Sequence, residues 1–268
     1  HRKRSSNPIM MKKVHSIPTF LGIILLIIGV AVGVFYVQTR QTFDLSASPQ
    51  ETPKEVRVTN VDDASFAVSW TTDKPTFGYV TYERAEALLA ADAQKPKSLL
   101  HHLTVKDLDP TTSYQFKIGS GENLFDNGGA PYKTKTGPTL DSEKTNDMVF
   151  GTVVDKNDKP SSGALVYLTL PGAAPMSTTA DLDGSWAYNL SLARTTQLKN
   201  LATYTKDAVL EVYVLGDKGQ VSTAKIAVSA AKPVPKMVLG ENYNFGNTKT
   251  IKGDTLPSSD IDFTKDDK

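Results

Sequence analysis

Histidine is the usual acid–base group and nitrogen ligand near neutral pH, and this chain has four: His1, His15, His101 and His102. The first two precede a long apolar run. The last two are adjacent, so on a strand they point to opposite faces and cannot chelate one ion together. Cysteine is absent, which excludes thiol catalysis and thiolate metal sites. A Ser/His/Asp triad would need one of the two neighbouring strand histidines on an exposed edge, and His102 reads instead as a half-buried strand residue. Asp181-x-Asp183 opens like a calcium loop, but the acidic alternation stops at Gly184. Leu192 stands where a closing Glu belongs, so a plain turn is expected, with a weak calcium site as the alternative. Asp155-Lys156-Asn157-Asp158-Lys159 reads as a hairpin tip. Asn189-Leu190-Ser191 fits a glycosylation acceptor, a match common by chance and relevant only in a glycosylating host. No catalytic residue, cofactor or metal is expected.

Binding is harder to dismiss. The loop Glu122–Pro131 places Leu124, Phe125, Asp126 and Asn127 beside two glycines. Loops on a rigid scaffold are where such modules meet partners, and these four residues are the candidate partner contact. The alternative is that Phe125 folds back onto the core.

Phe20 to Val37 is eighteen residues without a charge. As a helix it would be about 27 Å long, close to a bilayer's hydrocarbon core. Its N-terminal flank holds Arg2, Lys3, Arg4, Lys12 and Lys13, and the other flank only Arg40 before Asp44. That bias keeps the N-terminus cytoplasmic and exports the remainder. A cleaved signal peptide is the competing reading, but the run is longer than an h-region and ends in Phe35-Tyr36-Val37-Gln38 without a small-x-small site. Gly29 and Gly33 have the spacing that lets two membrane helices approach, although glycine is common there. Beyond residue 40 the chain holds 24 basic and 29 acidic residues, a net charge of −5, which argues against nucleic acid as a partner.

After a polar stalk, short alternating runs begin: Glu55–Val61, Ser65–Thr71, Gly78–Tyr82, His102–Leu108 and Ser113–Ser120. Period-two alternation punctuated by Asp-Asp, Lys-Pro, Asp-Pro and Asn-Gly-Gly predicts an antiparallel sandwich. Glu83–Ala93 is rich enough in Ala, Leu and Glu to predict a short helix or helical loop. This block resembles a fibronectin type III domain. Trp70 falls where that family keeps its core Trp, and Leu108-Asp109-Pro110-Thr111-Thr112-Ser113-Tyr114 resembles its L-x-P-x-T-x-Y signature. His102–Leu108 is similar to the version found ahead of metallophosphatase domains and in bacterial surface proteins. The resemblance implies a tyrosine corner at Tyr114, where a buried ring satisfies its hydroxyl on nearby backbone.

A second linker, Gly137–Asn146, leads to strands over 148–155, 164–170, 185–192, 208–215 and 221–228. Gly151-x-Val153-x-Asp155, Pro160, Gly163-Ala164-x-Val166-x-Leu168 and Thr179-x-Asp181-x-Asp183-Gly184-x-Trp186 resemble a carboxypeptidase regulatory-like domain, a transthyretin-like sandwich. That resemblance implies a spacer or binding module rather than chemistry.

The expected fold is all-β: two tandem antiparallel β-sandwiches plus one N-terminal transmembrane helix. Residues 1–17 form a basic cytoplasmic segment, 18–38 the membrane helix, 39–52 a stalk, 53–137 the first sandwich, 138–146 a linker, 147–239 the second sandwich and 240–268 a flexible tail. The two sandwiches are expected to fold independently, because the linker is polar and each block has its own apolar faces. The function expected is a single-pass surface protein that displays non-catalytic sandwiches for adhesion or binding. Its partners are membrane lipid through the helix and an extracellular protein or glycan. The alternatives are an accessory region of a cell-surface hydrolase and a structural part of an envelope or secretion assembly.

Overall fold

The computed structural model describes residues 48–84, 87–91, 93–141 and 145–246. The basic segment, the expected membrane helix, most of the stalk and the tail beyond Gly246 lie outside the described residues. Among the described residues no helix is long and apolar enough to cross a membrane. What they form is β-structure with three short 3₁₀ turns.

The first sandwich contains β1 (Lys54–Thr59), β2 (Phe66–Thr76), β3 (Gly78–Arg84), β4 (Ala87–Ala90), β5 (Ser98–Val105), β6 (Ser113–Ser120), β7 (Asn123–Phe125) and β8 (Tyr132–Lys135). One sheet runs β1-β2-β5; the other runs β4-β3-β6, with β7 and β8 each pairing part of β6. Alternation aims Phe66, Val68 and Trp70 of β2 at Tyr114, Phe116 and Ile118 of β6, and these residues are at most 2% exposed. The rings of Phe66 and Phe116 lie 5.4 Å apart in a tilted pair. Tyr114 accepts a hydrogen bond from the Asp109 amide at 2.7 Å. Trp70 and Tyr114 thus take the two structural places predicted for them.

The helix predicted over Glu83–Ala93 is a correction. Ala87–Ala90 pairs antiparallel with Thr81–Arg84 as a β-hairpin. Local preference for helix is a few tenths of a kcal/mol per residue, and a ladder beside an already formed strand overrides it.

The second sandwich contains β9 (Met148–Val154), β10 (Leu165–Thr169), β11 (Met176–Thr179), β12 (Ser185–Asn189), β13 (Val209–Leu215), β14 (Val221–Ala227), β15 (Met237–Val238) and β16 (Asn242–Asn244). Its sheets run β11-β10-β13-β14-β16 and β12-β9-β15. Both edges gained from β15 and β16 are parallel pairings. The core joins Val149, Val153, Val166, Leu168, Trp186, Leu190, Val212 and Ile226.

The two sandwiches pack side by side. Contacts run along the length of the β1-β2-β5 sheet: Leu100 clusters with Leu165 and Leu215, and Ser69 meets Tyr167. Further along, Asn60 bonds Pro175 and Ser177, and Asp63 pairs with Arg194. Strand β2 is therefore buried on both faces, with Ala67 and Ser69 as inaccessible as Phe66 and Trp70. Alternation predicts a solvent face there; smallness of Ala67 and Ser69 lets a second sheet approach instead.

Trp70→Ala should lower the stability of the chain by about 3–5 kcal/mol, since it empties a ring-sized volume in a closed core. Urea unfolding followed by circular dichroism reads this directly. An unchanged midpoint would place the ring outside the core.

Candidate functional site

Strand β5 splits the histidine pair as the alternation requires. His101 enters the first core, stacked on Trp70 with centroids 4.7 Å apart and planes 13° apart. Its Nε2 reaches Thr76 Oγ1 at 3.2 Å, and Thr76 reaches Ser120 at 2.9 Å. Gly78 makes room for this stack, because a Cβ there would lie 2.4 Å from His101 Nδ1 and 2.7 Å from the Trp70 ring. His102 faces the second sandwich, where its Nε2 lies 2.9 Å from Ser177 Oγ. Ser177 Oγ lies in turn 2.5 Å from Thr59 Oγ1.

A serine hydroxyl against an imidazole is half of a nucleophile–base device, so its surroundings decide its role. Ser177 is 2% exposed and held from four sides. Its amide donates to Asn60 Oδ1 at 2.8 Å, and its carbonyl accepts from Asn60 Nδ2 at 2.8 Å. No substrate carbonyl can reach that hydroxyl, and burial pushes the His102 ring down to about 4, so it is neutral at pH 7. The pair acts as a joint between sheets. Asn60 performs its part from a left-handed backbone (φ 52°), a conformation that Asn tolerates better than most residues.

Two further contacts flank this joint. Ser69 Oγ lies 2.8 Å from Tyr167 Oη, and the Arg57 guanidinium sits 5.6 Å from the Tyr167 ring centroid. Desolvation pushes the Tyr167 phenol up to about 12, so the hydroxyl keeps its proton. At the linker, Arg194 is buried. It donates to the Pro138 carbonyl at 2.7 Å, the Leu198 carbonyl at 3.1 Å and Asp63 Oδ1 at 2.9 Å. Gly137 is required beside it, since a Cβ would meet Arg194 Nη1 at 2.5 Å. The sequence reading missed Ser177, Asn60 and Arg194, whose types carry no pattern that marks an interface.

The candidate loop sits on one edge of the first sandwich. Leu124 is 49% exposed, while Phe125 is half-buried in β7. Asp126 Oδ1 accepts from the Gly129 amide at 2.8 Å, and Asn127 and Ala130 close the tip by a backbone bond of 2.8 Å. The loop is an excursion between two halves of one edge, β7 and β8. At Asp181-x-Asp183-Gly184, the Gly184 amide donates to the Asp181 carbonyl at 2.9 Å, and Asp183 Oδ1 accepts from the Ser185 amide and hydroxyl. These bonds hold the Asp183 carboxyl below its ordinary range and define a turn. Asn189 Oδ1 accepts from Asp147, Ser191 N and Ser191 Oγ, capping a 3₁₀ turn. Among the described residues no three His, Asp or Glu side chains converge where they could hold a metal ion.

No protein-family model matches the chain, and no curated protein sequence matches it. Solved structures resemble parts of it weakly. The sensor domain of the anti-sigma factor RsgI4 in Pseudobacteroides cellulosolvens is 20% identical with a TM-score of 0.27, covering 35% of this chain and 100% of that one. The chicken CNTN1 FN1–FN3 domains are 14% identical with a TM-score of 0.26, covering 71% of this chain and 68% of that one. A two-domain fibronectin type III segment from chicken tenascin is 14% identical with a TM-score of 0.24, covering 65% of this chain and 98% of that one.

Two outcomes follow from the joint and the buried histidines. Asn60→Gly keeps the left-handed backbone and removes only the amide, so it should cost about 1–3 kcal/mol and loosen the sandwiches from each other. Calorimetry should then split a single transition into two; a single unshifted transition would show the joint to be idle. The histidines give a pH slope. Burial lowers both rings to about 4 from 6.5, so the unfolded chain takes up protons that the folded chain refuses. Stability should be full above pH 6.5 and fall towards pH 4, by about 1 kcal/mol per pH unit per histidine near pH 5. His101→Gln should remove about half of that slope in urea midpoints, and a flat profile between pH 6.5 and 4.5 would contradict the burial.

Proposed function

We propose that this chain is a single-pass, membrane-anchored display protein whose two sandwiches form one exported, non-catalytic binding head. The apolar run Phe20–Val37 and its basic N-terminal flank support the anchor and its orientation. The observation that carries the head is the side-by-side joint through Asn60, Ser177, Tyr167 and Arg194. A joint of buried, directional bonds fixes the loops of both sandwiches in one geometry, which a recognition surface needs and a flexible tether does not. The contact proposed is the rim of Leu124, Phe125, Asp126 and Asn127, offering an exposed aliphatic group beside a tied-down turn. The resemblance of the second block to a carboxypeptidase regulatory-like domain agrees with a binding or supporting role. An accessory spacer beside a hydrolase is the second reading. Lateral packing counts against it, because spacers gain reach by stacking end to end.

The absence of cysteine allows a direct test. Leu182, 89% exposed, is replaced by cysteine in one variant and Ser6 in another. On intact cells a membrane-impermeant maleimide should label Leu182→Cys and spare Ser6→Cys until lysis. The reverse pattern would invert the orientation and end the proposal. A photocrosslinker at Leu124 should give a discrete adduct on intact cells that one at exposed Leu192 does not; equal smears from both would remove the loop from the reading.

A further inference from the structure

Each sheet of the first sandwich ends in a strand with no neighbour beyond it: β5 closes one sheet and β4 the other. Between these two edges lies an open groove of about 510 Å³, lined by Tyr82 and Ala90 from one sheet and by His102, Leu103 and Thr104 of β5 from the other. The candidate loop sits at the opposite edge, along β6.

Part of the β5 edge is already filled, and what fills it shows what the edge accepts. Gln94 Nε2 donates to the Leu100 carbonyl at 3.2 Å, and Gln94 Oε1 accepts from the His102 amide at 3.4 Å. One side-chain amide thus takes the place of one residue of an added parallel strand. Backbone groups alternate in direction along a strand, so the His102 carbonyl and both backbone groups of Thr104 point the same way, away from β2. Among the described residues no turn, cap or side-chain bond engages them, and Thr104 is exposed. A row of unpaired amides and carbonyls matches one kind of ligand, another backbone.

Charge narrows the class. Lys95 follows the Gln94 clip and Lys106 follows the open stretch; both are exposed and make no ion pair among the described residues. Asp107 is the one carboxylate in the described lining, so the groove is net positive. Two copies of this edge would bring their lysines together, which makes a second copy a poor occupant. A strand that carries carboxylates gains from the same lysines.

We propose that this groove binds an extended segment of a partner protein, alternating acidic and apolar residues, as an added strand along β5. One residue of that strand donates to the His102 carbonyl and accepts from the Thr104 amide, which repeats the Gln94 pattern one step on. Its apolar side chains meet Tyr82, Ala90 and Leu103. From His102 to Lys106 the edge is about 13 Å long at about 3.3 Å per residue, room for about four or five residues. This site is separate from the Leu124 rim and holds for either orientation in a membrane, so it goes beyond the proposed function and can succeed or fail apart from it.

The test uses the full chain in phosphatidylcholine nanodiscs, whose zwitterionic lipid leaves the lysines free. A capped hexapeptide of alternating aspartate and valine is titrated by calorimetry. It should bind with a Kd of about 10–100 µM. Methylating the alternate peptide nitrogens that face β5 should weaken binding about tenfold or more, and methylating the other set by less than about twofold. Lys106→Glu should weaken it about tenfold with no change in melting temperature, since that side chain is exposed and unpaired. Thr104→Pro should remove binding, because proline deletes the edge amide and spares the ladder to β2. The methylated peptides read the same bond without touching the fold. No binding at about 1 mM overturns the proposal, as does equal loss from both methylated sets. Equal binding of a peptide with its aspartates and valines in separate blocks would reduce the effect to charge and overturn it too. So would a dimer that Thr104→Pro dissolves, which would give the edge to a second copy.

Discussion

The packing of the two sandwiches depends on one strand, β2, being buried on both faces over Phe66–Trp70. Its inner face carries Phe66, Val68 and Trp70 into the first core, and its outer face carries the equally buried Ala67 and Ser69, with Ser69 against Tyr167 of β10. A sheet can be covered twice only if the second face is short enough for another sheet to approach, and if every polar atom it loses to water finds a partner. Ser69 finds Tyr167, Thr59 finds Ser177, and Asn60 finds both backbone groups of Ser177. Each such bond adds only about 0.5–1.5 kcal/mol net, whereas leaving one group orphaned costs about 1–3 kcal/mol. The asymmetry makes the joint specific more than strong: sliding by one residue would orphan several groups at once.

Around this polar seam the apolar cluster of Leu100, Leu165, Tyr167 and Leu215 supplies burial, and Arg194 closes the linker end. Arg194 is 6% exposed while its partner Asp63 keeps some contact with water, with side-chain exposures of 6% and 29%. Two carbonyls share the guanidinium's donors, which offsets the desolvation that makes buried ion pairs weak stabilisers. A chain without cysteine has no covalent staple at this junction. Side-by-side packing does part of that work by making one larger body of two sandwiches, and larger bodies bury a greater share of their surface.

Most of the strands were legible as alternation. Ser113–Ser120 was read with its observed ends, and the strands opening at Met148, Ser185 and Val221 were found within a few residues. Trp70 and Tyr114 were legible as structural because a large ring beside turn signals has few other uses. Illegible features share a physical cause: the deciding partner lies far along the chain. Strand β4 has the composition of a helix and becomes a strand only because β3 is already there. Strands β15 and β16 are two and three residues long, too short for any period. The joint was invisible since Ser, Asn and Thr at a buried seam look like Ser, Asn and Thr facing water. Of the candidate site, the place of the loop between two edge strands was legible. The sequence left Phe125 open between contact and folding back, and its half-burial follows from β7 pairing along β6.

The same blindness explains how a serine and a histidine at 2.9 Å come to do no acyl chemistry. Nucleophilic catalysis needs a hydroxyl that a substrate can approach, a base able to hold a proton near neutral pH, and a third group to orient the base. Ser177 has the base but no access, and desolvation has moved His102 far below the range where it could take up a proton at pH 7. The property that disqualifies the pair as a catalyst suits it as a joint. A neutral, half-buried imidazole offers Ser177 Oγ a fixed acceptor or donor at 2.9 Å. Chemistry-bearing residue types are thus used here for position, in the interior. In the hairpin tips and edge loops the carboxylates serve position too: Asp126 accepts from the Gly129 amide, and Asp155 from the Asn157 and Lys159 amides, which holds the shape of each turn.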